Sequence, residues 1–176
     1  AGTLHILNGY NVLEDNNENL SGGIQLIYTH CPNLKFTYNN IIGNEMPNGT
    51  GGRTRMLNNL VINLSPAKNL ELILSGDYTF QEKSKLDGSD NSASAYGAYI
   101  SSRYRVHPKI NLMLRGEYFT DPDGILAGVY IDSEGNFSGV KNTLGVTGGI
   151  EYKPIESSYF RLEARYLQLD KTLKLF

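Results

Sequence analysis

Nine stretches of this chain alternate apolar and polar residues with a period of two, and one side of each carries no charge. The segment YFRLEARYLQ, residues 159–168, shows the pattern. Phe160, Leu162, Ala164 and Tyr166 alternate with Arg161, Glu163 and Arg165. A period of two belongs to β-strands, whose successive side chains point to opposite faces. The stretches lie near 3–10, 23–30, 34–45, 53–64, 70–81, 94–106, 110–120, 142–153 and 158–168. Most are ten residues or longer, against about 5–6 for an ordinary strand. About 9–11 residues is the length of a tilted strand that crosses a bilayer. No apolar run approaches the ~20 residues of a membrane-spanning helix. The chain requires no helix, although a short helical turn fits within 121–140.

The connections between these stretches come in two kinds. HCPN, SPAKN, VHPK and KPIESS are short, and each holds a proline. NVLEDNNENLSG, GNEMPNGTGG, EKSKLDGSDNSAS and DPDGILAGVYIDSEGNFSGV are long and polar. In an up-and-down antiparallel sheet this alternation gathers the short turns at one end and the long loops at the other. Outer-membrane barrels have that asymmetry; a soluble up-and-down barrel is also compatible with it.

The charge-free face includes Leu4, Ile6, Tyr10, Leu26, Tyr28, Phe36, Tyr38, Leu60, Leu72, Leu74, Tyr78, Ile100, Tyr104, Leu112, Leu114, Tyr118, Val146, Ile150, Tyr152 and Leu162. Gly76, Gly116 and Gly148 fall on it too. Its aromatic residues sit near strand ends, with Leu, Ile and Val between them. Tyrosine at a membrane boundary keeps its ring in the apolar layer and its hydroxyl in water. The opposite face carries Lys35, Arg55, Glu71, Asp77, Arg103, Arg105, Arg115, Glu117, Glu151, Arg161, Glu163 and Arg165, with a few apolar intruders such as Ile73, Met113 and Phe119. Mixed signs on neighbouring strands predict cross-strand ion-pair ladders. A charge on a lipid-facing side would cost roughly 2–4 kcal/mol near the midplane. The expected fold is therefore an all-β, antiparallel, up-and-down transmembrane β-barrel with lipid against the aliphatic face and water against the charged one. A soluble barrel with the apolar face inward remains the alternative.

Nine strands put the first and the last in the same direction, whereas single-chain bacterial barrels have even numbers. LKLF, residues 173–176, is too short to begin another crossing. The 176 residues suit one domain, 1–176, expected to be part of a larger barrel. The net charge of −2 does not point to nucleic acid. Cys31 is the single cysteine, so no intrachain disulfide forms. No signal peptide is visible at the start.

The chain offers few groupings of chemically reactive residues. His30 and Cys31 are adjacent at a turn, so their side chains diverge, and no C-x-x-C or H-x-x-H pair accompanies them. DPDG at 121–124 offers Asp121 and Asp123 as candidate ligands for a hard cation such as calcium, helped by Asp132 and Glu134. It lacks the twelve-position calcium-loop pattern, and Asp, Pro and Gly suit a plain turn. Ser101, Ser102 and His107 lie close in sequence without a G-x-S-x-G elbow or an assignable acid. Glu117 and Glu151 are read as cross-strand neighbours engaged in ion pairs. No enzyme and no cofactor are expected.

IIGNEMPNG, LELILSGDYTFQE, INLMLRGEYFTDPDGILAG, GGIEYKP and YFRLEARYLQLDK resemble the OmpL-like porin-2 group of outer-membrane β-barrel porins, common in Bacteroidetes-type bacteria. The similarity runs from about residue 20 to 170, and EYFTDPDG is its most specific part. It implies an outer-membrane location, no enzymatic activity and a solute that is not defined. Members are usually much longer than 176 residues. The expected function is passive diffusion of small polar solutes through a mixed-charge lumen lined by the twelve residues above, with the 121–140 loop folded inward as a constriction or outward as a lid. The expected partners are the bilayer and those solutes. A plugged structural or adhesive barrel, and a lipocalin-like binder of an apolar ligand, are the other readings.

Overall fold

The computed structural model describes residues 1–9, 18–49 and 51–169. Nine strands form one antiparallel sheet in chain order: β1 (Gly2–Leu7), β2 (Ser21–Cys31), β3 (Leu34–Asn44), β4 (Thr54–Ala67), β5 (Leu70–Gln81), β6 (Ala93–His107), β7 (Ile110–Asp121), β10 (Val140–Ile155) and β11 (Ser158–Gln168). Two short strands, β8 (Tyr130–Ile131) and β9 (Phe137–Ser138), pair only with each other. No helix occurs among the described residues, and a small hairpin stands in 121–140, where a short helical turn would also have fitted. β1 ends at Leu7 rather than residue 10. Tyr10 and the LKLF segment lie outside the described residues. Each strand of the sheet pairs with its sequence neighbour, and β1 and β11 are its two edges.

The four short connections share one construction. A two-residue turn joins the strands, and the pairing register shifts beside it, between Thr29 and Cys31, Leu64 and Ala67, Arg105 and His107, and Tyr152 and Ile155. Pro66 and Pro154 occupy two of these irregularities, where a residue without an N–H costs no ladder bond. Pro32 and Pro108 open the other two turns. The turns also descend in steps. Leu34 at the start of β3 faces Leu64, yet β4 continues to Ala67. Leu70 faces Tyr104, yet β6 continues to His107. Ile110 faces Tyr152, yet β10 continues to Ile155. A constant stagger of this kind inclines strands to the axis of a barrel wall.

The registers sort the side chains into two faces. Tyr28, Phe36, Ile62, Leu74, Ile100, Gly116, Val146 and Tyr166 form one continuous cross-strand row. This is the charge-free face, and it is open to the surroundings: Leu112 is 42% and Leu162 76% exposed. Buried side chains gather on the opposite face, where Glu151 is 2% exposed and Ser75, Thr79, Gln81 and Asn111 are also buried. A lipocalin-like binder needs Leu112 and Leu162 packed inward, and the structure has the reverse. Among the described residues, only Ala93, Ala95 and Ile125 are buried hydrophobics. The wall is thus not held by a conventional apolar core. Its strands are held by their ladders, and its apolar side chains await an external apolar phase.

Aromatic rings mark both borders of the exposed face. Tyr28 stacks on Phe36 beside a short turn, with ring centres 6.2 Å apart. Tyr96 and Tyr118 approach to 6.5 Å toward the long loops. There the Tyr118 hydroxyl donates to Asn142 at 2.8 Å, and the Tyr78 hydroxyl lies 3.2 Å from Ser94 Oγ. The face also holds two amides that alternation alone did not single out. Asn58 Oδ1 accepts from the Tyr38 hydroxyl at 2.7 Å and from Asn40 Nδ2 at 3.0 Å. Their mutual bonding lowers the cost of placing them on an apolar side.

Adjacent residues of β4 test the orientation. Leu60 is on the exposed apolar face and Val61 on the other. Leu60→Arg is expected to destabilise the protein in phospholipid vesicles by about 2–4 kcal/mol. Val61→Arg is expected to cost much less. Chemical unfolding of the two variants, followed by tyrosine fluorescence, reads the difference.

Candidate functional site

The charged side chains concentrate on one half of the inner face, on β6, β7, β10 and β11. Local sequence puts them there: INLMLRGEYF carries Arg115 and Glu117 two residues apart, and YFRLEARYLQ carries Arg161, Glu163 and Arg165 at alternate positions. Pairing then brings the two segments to either side of β10. The first cluster centres on Glu151. Its Oε1 accepts from Arg103 Nη2 at 2.5 Å and from Asn111 Nδ2 at 2.9 Å. Its Oε2 accepts from Arg161 Nη2 at 2.8 Å. Lys153 Nζ lies 4.0 Å away, and Arg103 also approaches Glu71 at 3.7 Å. A carboxylate so buried is tolerable because both oxygens carry charge-assisted hydrogen bonds.

The second cluster centres on Glu117, which binds Arg115 at 2.9 Å and also pairs with Arg165. Glu117 reaches Arg165 by leaning across Gly145, its register partner on β10. A Cβ at Gly145 would collide with the Glu117 carboxyl, so glycine is required there for the ion pair to span two strands. Arg115 also lies over the Tyr99 ring at 4.3 Å, a cation–π contact. Arg161 also approaches Glu163 at 3.6 Å, on the stretch of β11 between the two clusters.

The expected ladders are therefore present for Arg103, Arg115, Glu117, Glu151, Arg161, Glu163 and Arg165, with Glu71 at their margin. Glu117 and Glu151 are not neighbours, contrary to expectation: Glu117 faces Gly145, whereas Glu151 faces Asn111. Arg105 faces Asn111 on the same side and is exposed. Lys35, Arg55 and Asp77 stand apart on the β3–β5 half. Arg55 donates to Gln81 at 2.6 Å, and Lys35 is exposed near a short turn.

Asp77 ends a chain of amides that lies along this face. Gln25 donates to Asn39 at 2.8 Å, Asn39 to Asn59 at 2.8 Å, and Asn59 to Asp77 at 2.9 Å. The chain crosses β2 to β5 in a single row. Its signal was available: an amide or carboxylate recurs at one parity in four successive strands. Only register could align the four.

The long connection after β7 folds back over this face. Ile125 and Leu126 pack against Ala93 and Ala95, whose parity is that of the charged side. Ala93, Ala95 and Gly97 leave the inner wall of β6 flat enough to receive them. Asp121, fully buried, pins the turn: its carboxylate accepts the backbone N–H of Ile125, Leu126 and Ala127 at 2.7–2.9 Å. Gly124 adopts a left-handed φ of 69° in the same turn. Asp123 accepts from Lys85 Nζ at 3.0 Å and from the Leu86 N–H at 3.2 Å, tying this loop to the one after β5. Both candidate cation ligands are therefore engaged by N–H groups. No group of three His, Cys, Asp or Glu residues able to share a metal occurs among the described residues. Asp132, farther out, caps the β8–β9 hairpin. The Asn136 and Glu134 N–H groups hold its carboxyl below the ordinary value of 3.8. A depressed carboxyl favours the folded hairpin above that ordinary value and ceases to do so as the pH falls through its lowered pKa.

Glu151 is the residue whose loss the wall should feel most. Glu151→Gln removes the buried carboxylate that Arg103 and Arg161 share and leaves them only their longer contacts to the exposed Glu71 and Glu163. The expected cost is about 2–3 kcal/mol, below the figure for a wholly buried pair because both arginines are about a third exposed. Glu163→Gln should change stability by less than about 1 kcal/mol, since its ion pair is solvent-exposed. Denaturation midpoints in detergent micelles compare the two.

No curated protein and no solved structure matches the chain. A family does. The one described as "Putative beta-barrel porin-2, OmpL-like" matches residues 2–176. That span includes every strand of the wall, both charge clusters and the inward-folded loop. An antiparallel sheet with an exposed charge-free side, a charged inner side, short turns at one end and long loops at the other agrees with that description, and the chain belongs to the OmpL-like porin-2 family of β-barrel porins.

Proposed function

We propose that this protein lets small polar solutes diffuse passively across an outer membrane. The carrying observation is the separation of faces: an exposed wall without charge backs onto a surface holding twelve candidate pore-lining charges. In lipid, the first side meets hydrocarbon and the second encloses water. Arg103, Arg105, Arg115, Arg161 and Arg165, with Lys35 and Arg55, form the basic part of the lining. Glu71, Asp77, Glu117, Glu151 and Glu163 form the acidic part. The field between them sets which solutes enter the lumen.

The sheet edges β1 and β11 need partners in hydrocarbon, because unpaired N–H and C=O groups there cost several kcal/mol each. The domain spanning residues 1–176 is accordingly read as part of a wall that further strands complete. The turn at 121–127 narrows the enclosed space from the long-loop side. Its packing on Ala93 and Ala95 supports an inward constriction rather than an outward lid, and it also favours the second reading, a barrel plugged by its own loop that serves a structural or adhesive role.

Planar-bilayer recording of the purified protein distinguishes the two. A diffusion pore gives discrete conductance steps, and the paired change Ile125→Asp with Asp123→Asn enlarges them by loosening the turn. A plugged barrel gives none in the wild type. Silence of both wild type and variant, in protein shown to be folded and inserted, rejects the pore.

A further inference from the structure

Between the two clusters the inner face holds a basin of about 430 Å³. Arg115 of β7 and Arg161 and Arg165 of β11 stand around it. Thr147 and Gly149 of β10 lie between them, and Glu117 and Glu163 complete the charged lining. Three guanidinium groups against two carboxylates leave one net positive charge. Glu163 and Arg161 are comparably presented, at 48% and 39% exposed, but the Glu117 cluster is not balanced in this way. Glu117 is 16% exposed, whereas the side chains of Arg115 and Arg165 that it binds are 46% and 55% exposed. The Glu117 carboxylate is recessed beneath its two arginines, and a solute entering on that side meets the Arg115 and Arg165 guanidinium groups first.

The arginines are also underused. Each carries five N–H donors in a planar fork. Arg115 and Arg165 each spend a terminal nitrogen on Glu117, whereas Arg161 spends one on Glu151 and turns the other toward Glu163 at 3.6 Å. The Arg115 and Arg165 side chains make no other hydrogen bond among the described residues. These positions are fixed rather than floppy: Arg115 rests on the Tyr99 ring, Arg161 lies 5.2 Å from the Tyr159 ring centre, and the recessed glutamates hold one end of each fork. Gly149 offers no side chain, and Thr147 supplies a hydroxyl. Preorganised guanidinium forks beside an open space match an oxyanion, which accepts two parallel N–H bonds from a single fork.

We propose that this basin is a binding station for the oxyanion group, carboxylate or phosphate, of a small solute, and that the lumen consequently favours anions. Binding at the station does not depend on transit. The selectivity it confers rests on the pore reading above. A positive basin against a low-dielectric wall raises the local anion concentration, and a single net charge keeps the affinity low enough for release.

The test uses the folded protein in detergent micelles and in bilayers. Inorganic phosphate is titrated and followed by phosphorus NMR line width, and succinate by carbon NMR, each at constant ionic strength against chloride. Saturable binding is expected, weakened about tenfold in Arg165→Gln, the loss of one charge-assisted hydrogen-bonded contact. Thr147→Asp adds a negative charge without removing an arginine and should weaken binding similarly. Lys68→Gln, in a distant short turn, should not change it. Succinate and phosphate binding alike identifies a general oxyanion station, and binding of one alone identifies its preferred group. In bilayers under a potassium chloride gradient, the reversal potential should report chloride preference. Saturable binding without conductance supports the station and rejects the pore. Conductance with no saturable oxyanion binding, or binding unaffected by both Arg165→Gln and Thr147→Asp, overturns the station.

Discussion

The cost of exposing a charge or an unpaired backbone group to hydrocarbon organises this molecule. Charge-free parity on nine strands answers the first half of that cost, and a continuous antiparallel ladder answers the second. With the aliphatic side turned outward, the protein has almost no apolar interior. Ala93, Ala95 and Ile125 are its only buried hydrophobics among the described residues, and they belong to a loop contact rather than to a core between layers. Stability must then come from the ladders, from the lipid phase and from the polar lattice on the inner face.

That lattice has two regimes. On β2 to β5 it is a neutral relay of amides ending at Asp77, in which each Nδ2 or Nε2 donates to the next oxygen. On β6 to β11 it is ionic, with Glu151 and Glu117 as anchors that each gather two arginines. The anchors are the covered partners and the arginines the presented ones. The inner surface is therefore more basic than a count of its residues suggests. The same arrangement spreads one carboxylate across three strands and stiffens the wall where the charges crowd.

The loop after β7 couples the wall to its rim. Asp121 satisfies three backbone N–H groups that would otherwise be orphaned in a tight turn, and this lets Ile125 lie flat on the small residues of β6. Asp123 joins the turn to Lys85 in the preceding long loop. Two carboxylates that suggested a cation are instead structural, because backbone amides and a lysine reach them first.

Much of this was legible in the residues themselves. The parity of Leu112 against Asn111 and of Leu162 against Arg161 fixed which side chains share a face, since a strand's alternation is strictly twofold. The proline-bearing short links against polar long ones fixed which ends of the strands lie together. Sequence could also say that Arg115, Glu117, Arg161, Glu163 and Arg165 share a face, because they fall at matching parity. It could not say which carboxylate meets which guanidinium. That depends on register, and the shift beside each short turn offsets every hairpin from the last, so Glu151 falls opposite Asn111 and Glu117 opposite Gly145. The amide relay, the recessed glutamates and the turn of 121–127 against Ala93 and Ala95 likewise required tertiary structure, because hydrogen-bond partners on four strands and a loop crossing a wall are set by distances in space that periodicity along one strand does not encode.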